Sequence, residues 1–214
     1  MPNKRQAIID TAMRLFYAHG YHVIGVDRII AEAGVAKMTM YKYFPSKTSL
    51  ISTVLRERNA QFLESLSSFA GSFSGALEKL KAIFTWHDRW LNDGAFNGCM
   101  FISAAAEYPD PSDEIHVVAK LHKQAVQDYI AGTLQESVSK EVAKDLAAQL
   151  LQLLEGAIVT GLVFSDKKAA TTAWRTAAAL LAANGIAVGY FTLPQSKPDQ
   201  EIFPPQTIYN PLKK

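Results

Sequence analysis

The sequence contains a single cysteine, Cys99, among its 214 residues. One thiol excludes an internal disulfide framework and a thiolate-rich zinc site. The chain also lacks a nucleophile paired with a base, a cluster of metal ligands and a phosphate-binding loop at any recognisable spacing. We therefore predict no catalytic residue, no metal and no cofactor. A helical enzyme is the alternative, and turnover by the purified protein would revive it.

Long hydrophobic runs are missing as well. No stretch of about eighteen consecutive apolar residues occurs, although a membrane-spanning helix needs about that many. The first residues, MPNKRQAIIDTAMRLF, interrupt their apolar positions with Arg and Asp, unlike the apolar core of a signal peptide. We therefore predict no membrane partner and a reducing, cytoplasmic location.

Strand signals are scarce, and the apolar residues recur at three- and four-residue spacing, which is typical of amphipathic helices. The sequence predicts an all-α fold with a first helix that ends at Gly20. Ser46 is placed to cap a long helix, and the five prolines after residue 190 predict a tail that is not helical. The further predicted helices are 26–33, 37–43, 47–70, 76–92, 101–107, 112–137, 140–164 and 168–189.

Charge is distributed unevenly along the chain. Residues 1–60 contain nine Lys and Arg against four Asp and Glu, whereas the remainder contains thirteen against sixteen. A basic N-terminal part followed by a mildly acidic remainder indicates that the N-terminal part is the one that binds a polyanion.

The stretch VAKMTMYKYFPSKTSL contains the second of two short predicted helices, which are joined by a tight turn at Gly34. This arrangement is typical of a helix-turn-helix motif. In the second helix, Met40 and Phe44 are four residues apart and can face inward with Val35. The side chains left for the outer face are short polar, phenolic and ammonium groups, which suit contacts with phosphates and base edges. They are Lys37, Thr39, Tyr41, Lys42 and Tyr43.

The whole segment GYHVIGVDRIIAEAGVAKMTMYKYFPSKTSL resembles the N-terminal DNA-binding domain of the TetR family of bacterial transcriptional regulators, in an AcrR-like form. The matching positions are Gly20, Ile29, Ala33, Gly34, Val35, Thr39, Tyr41, Phe44, Ser46, Lys47 and Leu50. The resemblance implies a three-helix DNA-binding head, a helical effector-binding and dimerisation domain, and a bacterial protein that joins the nucleoid when bound to DNA. We predict the head at 1–50, a linking helix at 47–70, the body at 51–190 and a Pro-rich tail at 191–214.

The resemblance also implies roles for individual residues of the head. Tyr41 and Lys47 would contact phosphates, and Arg28 is a further phosphate candidate. Tyr43 could contact backbone or base. Two positions depart from the family pattern: Gly25 stands where a capping Thr or Ser is usual, and Met38 where a small residue is common. Met38 is therefore a candidate for contact with a base or a thymine methyl group. Base-edge or groove contacts are expected from Lys37, Thr39 and Lys42.

The two C-terminal helices are apolar on more than one face and rich in Ala and Gly, which predicts burial on both sides. By the resemblance they form a four-helix interface between two copies of the chain, and an ordinary core within one chain is the alternative. The predicted interface residues are Leu153, Gly156, Ala157, Gly161, Trp174, Ala178, Leu181 and Ala182.

The middle helices carry aromatic residues and a few polar groups, as a small-molecule site does. By the resemblance they enclose a cavity for a small apolar or aromatic effector, and a plain aromatic core is the alternative. Glu107 either faces that cavity or caps the next helix. The predicted pocket residues are Trp86, His87, Trp90, Cys99, Met100, Phe101, His122 and Tyr129.

These features together predict a homodimeric repressor that binds a palindromic double-stranded DNA operator and is released by the effector. Three alternatives remain open. The first is a redox or electrophile sensor that uses Cys99, whose position near a helix N-terminus could lower its pKa. The second is a regulator that responds to no ligand, and the third is an activator.

Overall fold

The computed structural model describes residues 3–189. In these residues the chain forms nine helices and no strand, which confirms the all-α prediction. The helices are α1 (Lys4–His19), α2 (Val26–Ala33), α3 (Lys37–Tyr43), α4 (Lys47–Gly71), α5 (Ala76–Leu91), α6 (Met100–Glu107), α7 (Glu114–Leu134), α8 (Lys140–Phe164) and α9 (Ala169–Ala183).

The helix ends follow from local backbone chemistry. Gly20 ends α1 at φ 84° and ψ 171°, and its N–H donates to the carbonyl of Phe16. Gly34 follows α2 in the left-handed region, at φ 62° and ψ 37°, where glycine has no Cβ to clash. The turn between α2 and α3 is short for this reason.

Ser46 is the N-cap of α4, as predicted. Its Oγ accepts a hydrogen bond of 3.1 Å from the backbone N–H of Ser49, while Ser49 Oγ accepts one of 3.2 Å from the N–H of Ser46. Two donors at the helix start are satisfied reciprocally, as in a capping box.

Two predicted helices are longer than the helices that the structure shows. The helix predicted at 168–189 ends at Ala183, because Gly185 adopts φ 80° and Ile186 N–H turns back to the carbonyl of Leu181. The helix predicted at 112–137 is shorter at both ends, and its start is set by Asp113, whose carboxylate accepts from the N–H of Ile115. The predicted Pro-rich tail lies outside the described residues.

By packing, the described residues divide into two compact units. The first contains residues 3–61 and 99–122, and the second contains 62–98 and 123–189. In the first unit α1 packs against α2 and α3, so the short helices rest on the longer one. In the second unit α5, α8 and α9 pack against one another. The predicted boundary near residue 50 thus lies inside the first unit, which also includes α6.

By length and composition, α8 is the one helix within residues 3–189 that could cross a membrane. A core helix of a soluble protein has the same character, and α8 packs on α5 and α9.

Candidate nucleic-acid interface

The second helix of the motif, α3, buries one side and exposes the other. Met40 is 0% exposed and Phe44 is 2% exposed, and Val35 is half-buried. With only two turns, α3 depends on these apolar anchors for stability, because isolated helices of this length do not persist in water. The buried residues are the ones that the sequence predicted to face inward.

The outward face of α3 consists of predicted DNA-contact residues. Met38 is the most exposed of them at 82%, and Tyr41 and Tyr43 are 42% and 40% exposed. Lys37 and Lys42 are exposed, and Thr39 is half-buried. A thioether, two phenols and two ammonium groups therefore share one solvent-facing surface, which we call the α3 face.

The cations around the α3 face differ in how they are held. Lys42 has no hydrogen-bond or ion-pair partner among residues 3–189. Lys37 lies 3.4 Å from the carboxylate of Asp27 in an exposed pair, which is worth little in water. Both ammonium groups can therefore bind phosphate oxygens at little cost in lost contacts.

Arg28, a predicted phosphate contact, forms an ion pair with Glu32 in the structure. Its Nε donates to Glu32 at 2.8 Å, and Arg14 of α1 pairs with the same carboxylate. Hydrogen bonds from these two guanidinium groups lower the pKa of Glu32. Arg28 would have to give up part of this network to contact a phosphate.

Lys47, predicted to contact a phosphate, is partly buried, and its Nζ donates to the carbonyl of His22 at 3.2 Å. Burial lowers the pKa of Lys47, and the nearby carboxylate of Glu107 partly opposes this effect. Lys47 therefore links the start of α4 to the connection between α1 and α2.

Glu107 is a structural feature that the sequence did not reveal. Within the part of the chain that the structure describes, it does not cap the next helix, α7. Instead, its carboxylate accepts hydrogen bonds from the backbone N–H of Tyr21 at 2.9 and 3.0 Å, and from that of His22 at 2.7 Å. The His22 ring nitrogen Nδ1 lies 2.8 Å from the same carboxylate. No sequence signal predicted a contact between residues so distant along the chain.

The pKa of Glu107 reflects two opposing influences. Burial disfavours its charged form, but the amides of Tyr21 and His22, together with the His22 side chain, more than offset burial, so the pKa is lowered. The carboxylate is therefore held in its charged, accepting form at neutral pH.

Four of the predicted pocket residues lie in the second unit. Trp86, His87 and Trp90 form an aromatic cluster with Phe62 and Phe96, in which edge-to-face contacts predominate. Trp86 is 0% exposed, and its indole N–H donates to Ser65 at 3.0 Å. The fourth, Tyr129, is half-buried on α7, and burial raises its pKa.

His87 is an uncharged member of the aromatic cluster. Burial lowers its pKa to about 4, although a hydrogen bond to the Ile83 carbonyl favours the charged form. Because a carbonyl can only accept, the Nδ1 atom of His87, at 2.8 Å, carries the proton.

The other four predicted pocket residues lie in the first unit. The rings of Phe101 and His122 stack at 3.6 Å, and His122 Nδ1 lies 2.8 Å from Asn59 Oδ1. Met100 and Cys99, which precede Phe101 in the sequence, are both buried, each with 5% exposure. Burial of the thiol favours an inert cysteine over the redox or electrophile sensor that Cys99 would serve.

An open groove of about 390 Å³ lies on the second unit, and none of the eight predicted pocket residues lines it. It is formed mainly by the start of α5 and the segment after α9. Its lining residues are Ser74, Gly75, Ala76, Leu77, Glu78, Ser137, Gly185, Ile186 and Ala187.

Most of the predicted dimer-interface residues are buried within the single chain. Trp174, for example, is 0% exposed and its ring lies 5.2 Å from that of Phe84 on α5. A helix that is apolar all round does not reveal which neighbour covers it, and here the chain's own helices cover these positions. Leu153 is half-buried, and Gly156 and Ala182 are exposed. The buried members are Ala157, Gly161, Trp174, Ala178 and Leu181.

The most exposed apolar residues of α8 lie at its C-terminal end. Val159 and Leu162 are 46% and 45% exposed, and Val163 and Phe164 reach 65% and 74%. Sequence patterning missed these residues as surface groups because the helix is apolar on both faces. We call them the α8 apolar end.

A helix-turn-helix whose second helix presents lysines, tyrosines and an exposed methionine, followed by residues that form only helices and loops up to residue 189, defines a DNA-binding regulator. Residues 8–54 match the model of bacterial regulatory proteins of the tetR family, and residues 76–177 match that of the tetracyclin repressor-like C-terminal domain. The chain belongs to the TetR family of transcriptional regulators and is not an enzyme.

Individual relatives agree with this assignment. A fatty acid metabolism regulator protein of Bacillus subtilis is 28% identical over 170 residues, which cover 77% of this chain and 86% of that protein. A TetR-family transcriptional regulator from Streptomyces coelicolor has a similar crystal structure, with a TM-score of 0.79, 29% identity, and coverage of 84% of this chain and 95% of that one. The crystal structure of a TetR-family regulator from Agrobacterium tumefaciens has a TM-score of 0.71 and 18% identity. The match covers 81% of this chain and 94% of that chain, and it shows the shared fold.

Proposed function

We propose that this protein is a cytoplasmic repressor that binds a palindromic operator as a homodimer and releases it when a small apolar or aromatic effector binds. The observation that carries the proposal is the α3 face, where Met38, Tyr41 and Lys42 are exposed above a buried Met40. Phenols and ammonium groups position such a helix on phosphates, while Met38 is placed to contact base edges.

The proposal of a homodimer rests on the small number of base pairs that one recognition helix can contact. A two-turn helix contacts only a few base pairs, so two heads spaced about 34–36 Å apart on a palindrome are the usual solution. The α8 apolar end supplies an exposed hydrophobic surface for the second copy, with Val163 at 65% and Phe164 at 74% exposure. On a monomer in water such a surface would be unfavourable.

Dimerisation is tested by sedimentation of Val163→Glu. We expect a monomer with much weaker operator binding, because a buried unpaired carboxylate would disrupt the interface. Val142→Glu is the matched control, since Val142 is also exposed, at 37%, but lies near the start of α8. A Val163→Glu protein that remains a dimer would exclude this surface.

Operator binding is tested by fluorescence anisotropy with a duplex that the wild-type protein selects from a randomised pool. We expect sequence-preferring binding that weakens steeply as salt rises, because phosphate contacts release counterions. Binding without sequence preference, or without dependence on salt, would overturn the proposed function.

The effector proposal rests on the aromatic cluster of the second unit. Its Trp86 and Trp90 rings would report a bound apolar compound through their fluorescence, whereas Trp174 packs on Phe84. Straight-chain fatty acids are the first probes, because one relative is named a fatty acid metabolism regulator protein; aromatic acids are the second.

We expect quenching that is reduced in Trp90→Phe and unchanged in Trp174→Phe, together with weaker operator binding in the presence of the active probe. If neither probe class changes fluorescence or operator affinity, the proposal of a small apolar or aromatic effector is overturned.

A further inference from the structure

We propose that Glu107 is a positioning residue through which α6 holds the DNA-binding head in the conformation that fits the operator. The inference rests on the proposed function, since it concerns how operator binding is achieved. The residue acts through the connection between α1 and α2, at residues 20–25, and not by touching DNA itself.

The Glu107 carboxylate fits this connection closely. It accepts from two consecutive backbone N–H groups, those of Tyr21 and His22, and lies against the His22 ring nitrogen. A Cβ atom on Gly20 would be 2.8 Å from Glu107 Oε1, so only glycine leaves room for the carboxylate. Burial of a carboxylate is stabilising only when its oxygens are satisfied, and here both oxygens accept bonds.

A second contact ties the other end of α6 to the same connection. The Tyr21 hydroxyl donates to the carbonyl of Met100 at 2.9 Å, and the Tyr21 side chain is 1% exposed. Met100 and Glu107 are the first and last residues of α6. Because a helix rises about 1.5 Å per residue, a shift of α6 by one residue would break the bonds at both ends.

The connection is also held by the start of α4. Lys47 Nζ donates to the His22 carbonyl, and the His22 ring stacks on Tyr108 with centroids 4.7 Å apart. Residues of both α6 and α4 therefore contact His22. Since α1 packs on both α2 and α3, fixing the α1–α2 connection fixes the motif that carries the α3 face.

A contact changes operator affinity only if it differs in strength between the conformation that binds and those that do not. Bonds to a carboxylate are short-ranged and directional, so a small movement of α6 removes them. Breaking the hydrogen bonds of Glu107 should therefore lower specific binding while leaving the electrostatic attraction to any DNA unchanged.

The test compares Glu107→Ala and Glu107→Gln with the wild type on the selected operator duplex and on a scrambled duplex. We expect operator affinity to fall about ten- to a hundredfold in Glu107→Ala and less in Glu107→Gln, which keeps one acceptor oxygen. Affinity for the scrambled duplex should stay within about twofold, because it depends on phosphate contacts. Glu136→Gln is the charge-matched control, since Glu136 pairs with Lys79 in the second unit.

Hydrogen exchange supplies an independent readout of the same hydrogen bonds. The amides of Tyr21 and His22 should exchange faster in both Glu107 variants, while those of α8 keep their protection. If Glu107→Ala does not fold, Glu107→Gln carries the test. Unchanged operator affinity in a folded variant, or an equal decrease in affinity on both duplexes, overturns the role of Glu107. Absence of operator preference in the wild type itself overturns the proposed function, and this inference with it.

Discussion

Gly20 and Glu107 fit together because Gly20 has no side chain: a Cβ there would lie 2.8 Å from Glu107 Oε1. Gly20 also adopts φ 84° and ψ 171°, a region that is essentially restricted to glycine. Backbone conformation and close approach therefore demand the same residue at the end of α1.

Gly20→Ala should consequently destabilise the protein by about 1–3 kcal/mol, through strain and displacement of the carboxylate. Urea unfolding measures the change. Gly25→Ala is the matched control, because Gly25 has φ −79° and no atom within 4 Å of the added Cβ. Equal stabilities for the two variants would contradict the close approach.

Ser46→Ala should remove the cap of α4 and cost about 1 kcal/mol of folding stability, or about 2–4 °C in Tm for a chain of this size. The bond at risk joins Ser46 Oγ to Ser49 N–H at 3.1 Å. Ser67→Ala, within the same helix, should have little effect, because Ser67 only donates to the Glu64 carbonyl. Calorimetry of both variants provides the comparison, and a Tm unchanged in Ser46→Ala would exclude the capping role.

His87 should make stability depend on pH. Its pKa is about 4 in the folded chain because burial disfavours the charged imidazolium, against 6.5 for the exposed group. The unfolded chain therefore binds the proton more readily, so stability is fully present above about pH 6.5 and falls as pH decreases towards 4, by up to about 3 kcal/mol.

Replacing His87 with Phe should flatten this part of the stability–pH curve, because phenylalanine does not titrate and suits the surrounding rings. Urea midpoints measured from pH 7.5 to 4 test the expectation. An undiminished slope in His87→Phe would assign the acid sensitivity to other groups.

Lys42→Gln should reduce the slope of log Kd against log salt by about 0.9 for each phosphate that the lysine neutralises in the wild-type complex. Lys42 is exposed on the α3 face and has no partner within residues 3–189, so it can approach DNA freely. Met38→Ala is the contrasting variant. It should change which bases are preferred while leaving the salt slope intact, since a thioether carries no charge. Identical slopes for the wild type and Lys42→Gln would remove Lys42 from the interface.

Local signals predicted much of the fold. The bounds of α2, α3 and α8 agree with the prediction, because apolar periodicity, Gly34 and the proline after Phe44 mark their ends. The α3 face was predictable for a related reason. A two-turn helix with its apolar residues four apart has only one side left for solvent.

The predicted dimer interface shows where such signals are incomplete. Trp174 and Ala178 were predicted to meet a second chain, but both are 0% exposed within this one. The most exposed apolar residues of α8 are instead Val163 and Phe164. Composition shows that a helix must be covered, whereas only the packing of α5, α8 and α9 shows which side the chain covers itself.

Local sequence signals specify most of the helices, the cap at Ser46 and the chemistry of the α3 face, because these depend on neighbours within a few residues. Tertiary structure alone decided that Glu107 binds the amides of Tyr21 and His22, and that His87 is uncharged among aromatic rings. Such contacts join residues that are distant along the chain, and they depend on where whole helices pack. No local spacing encodes that arrangement.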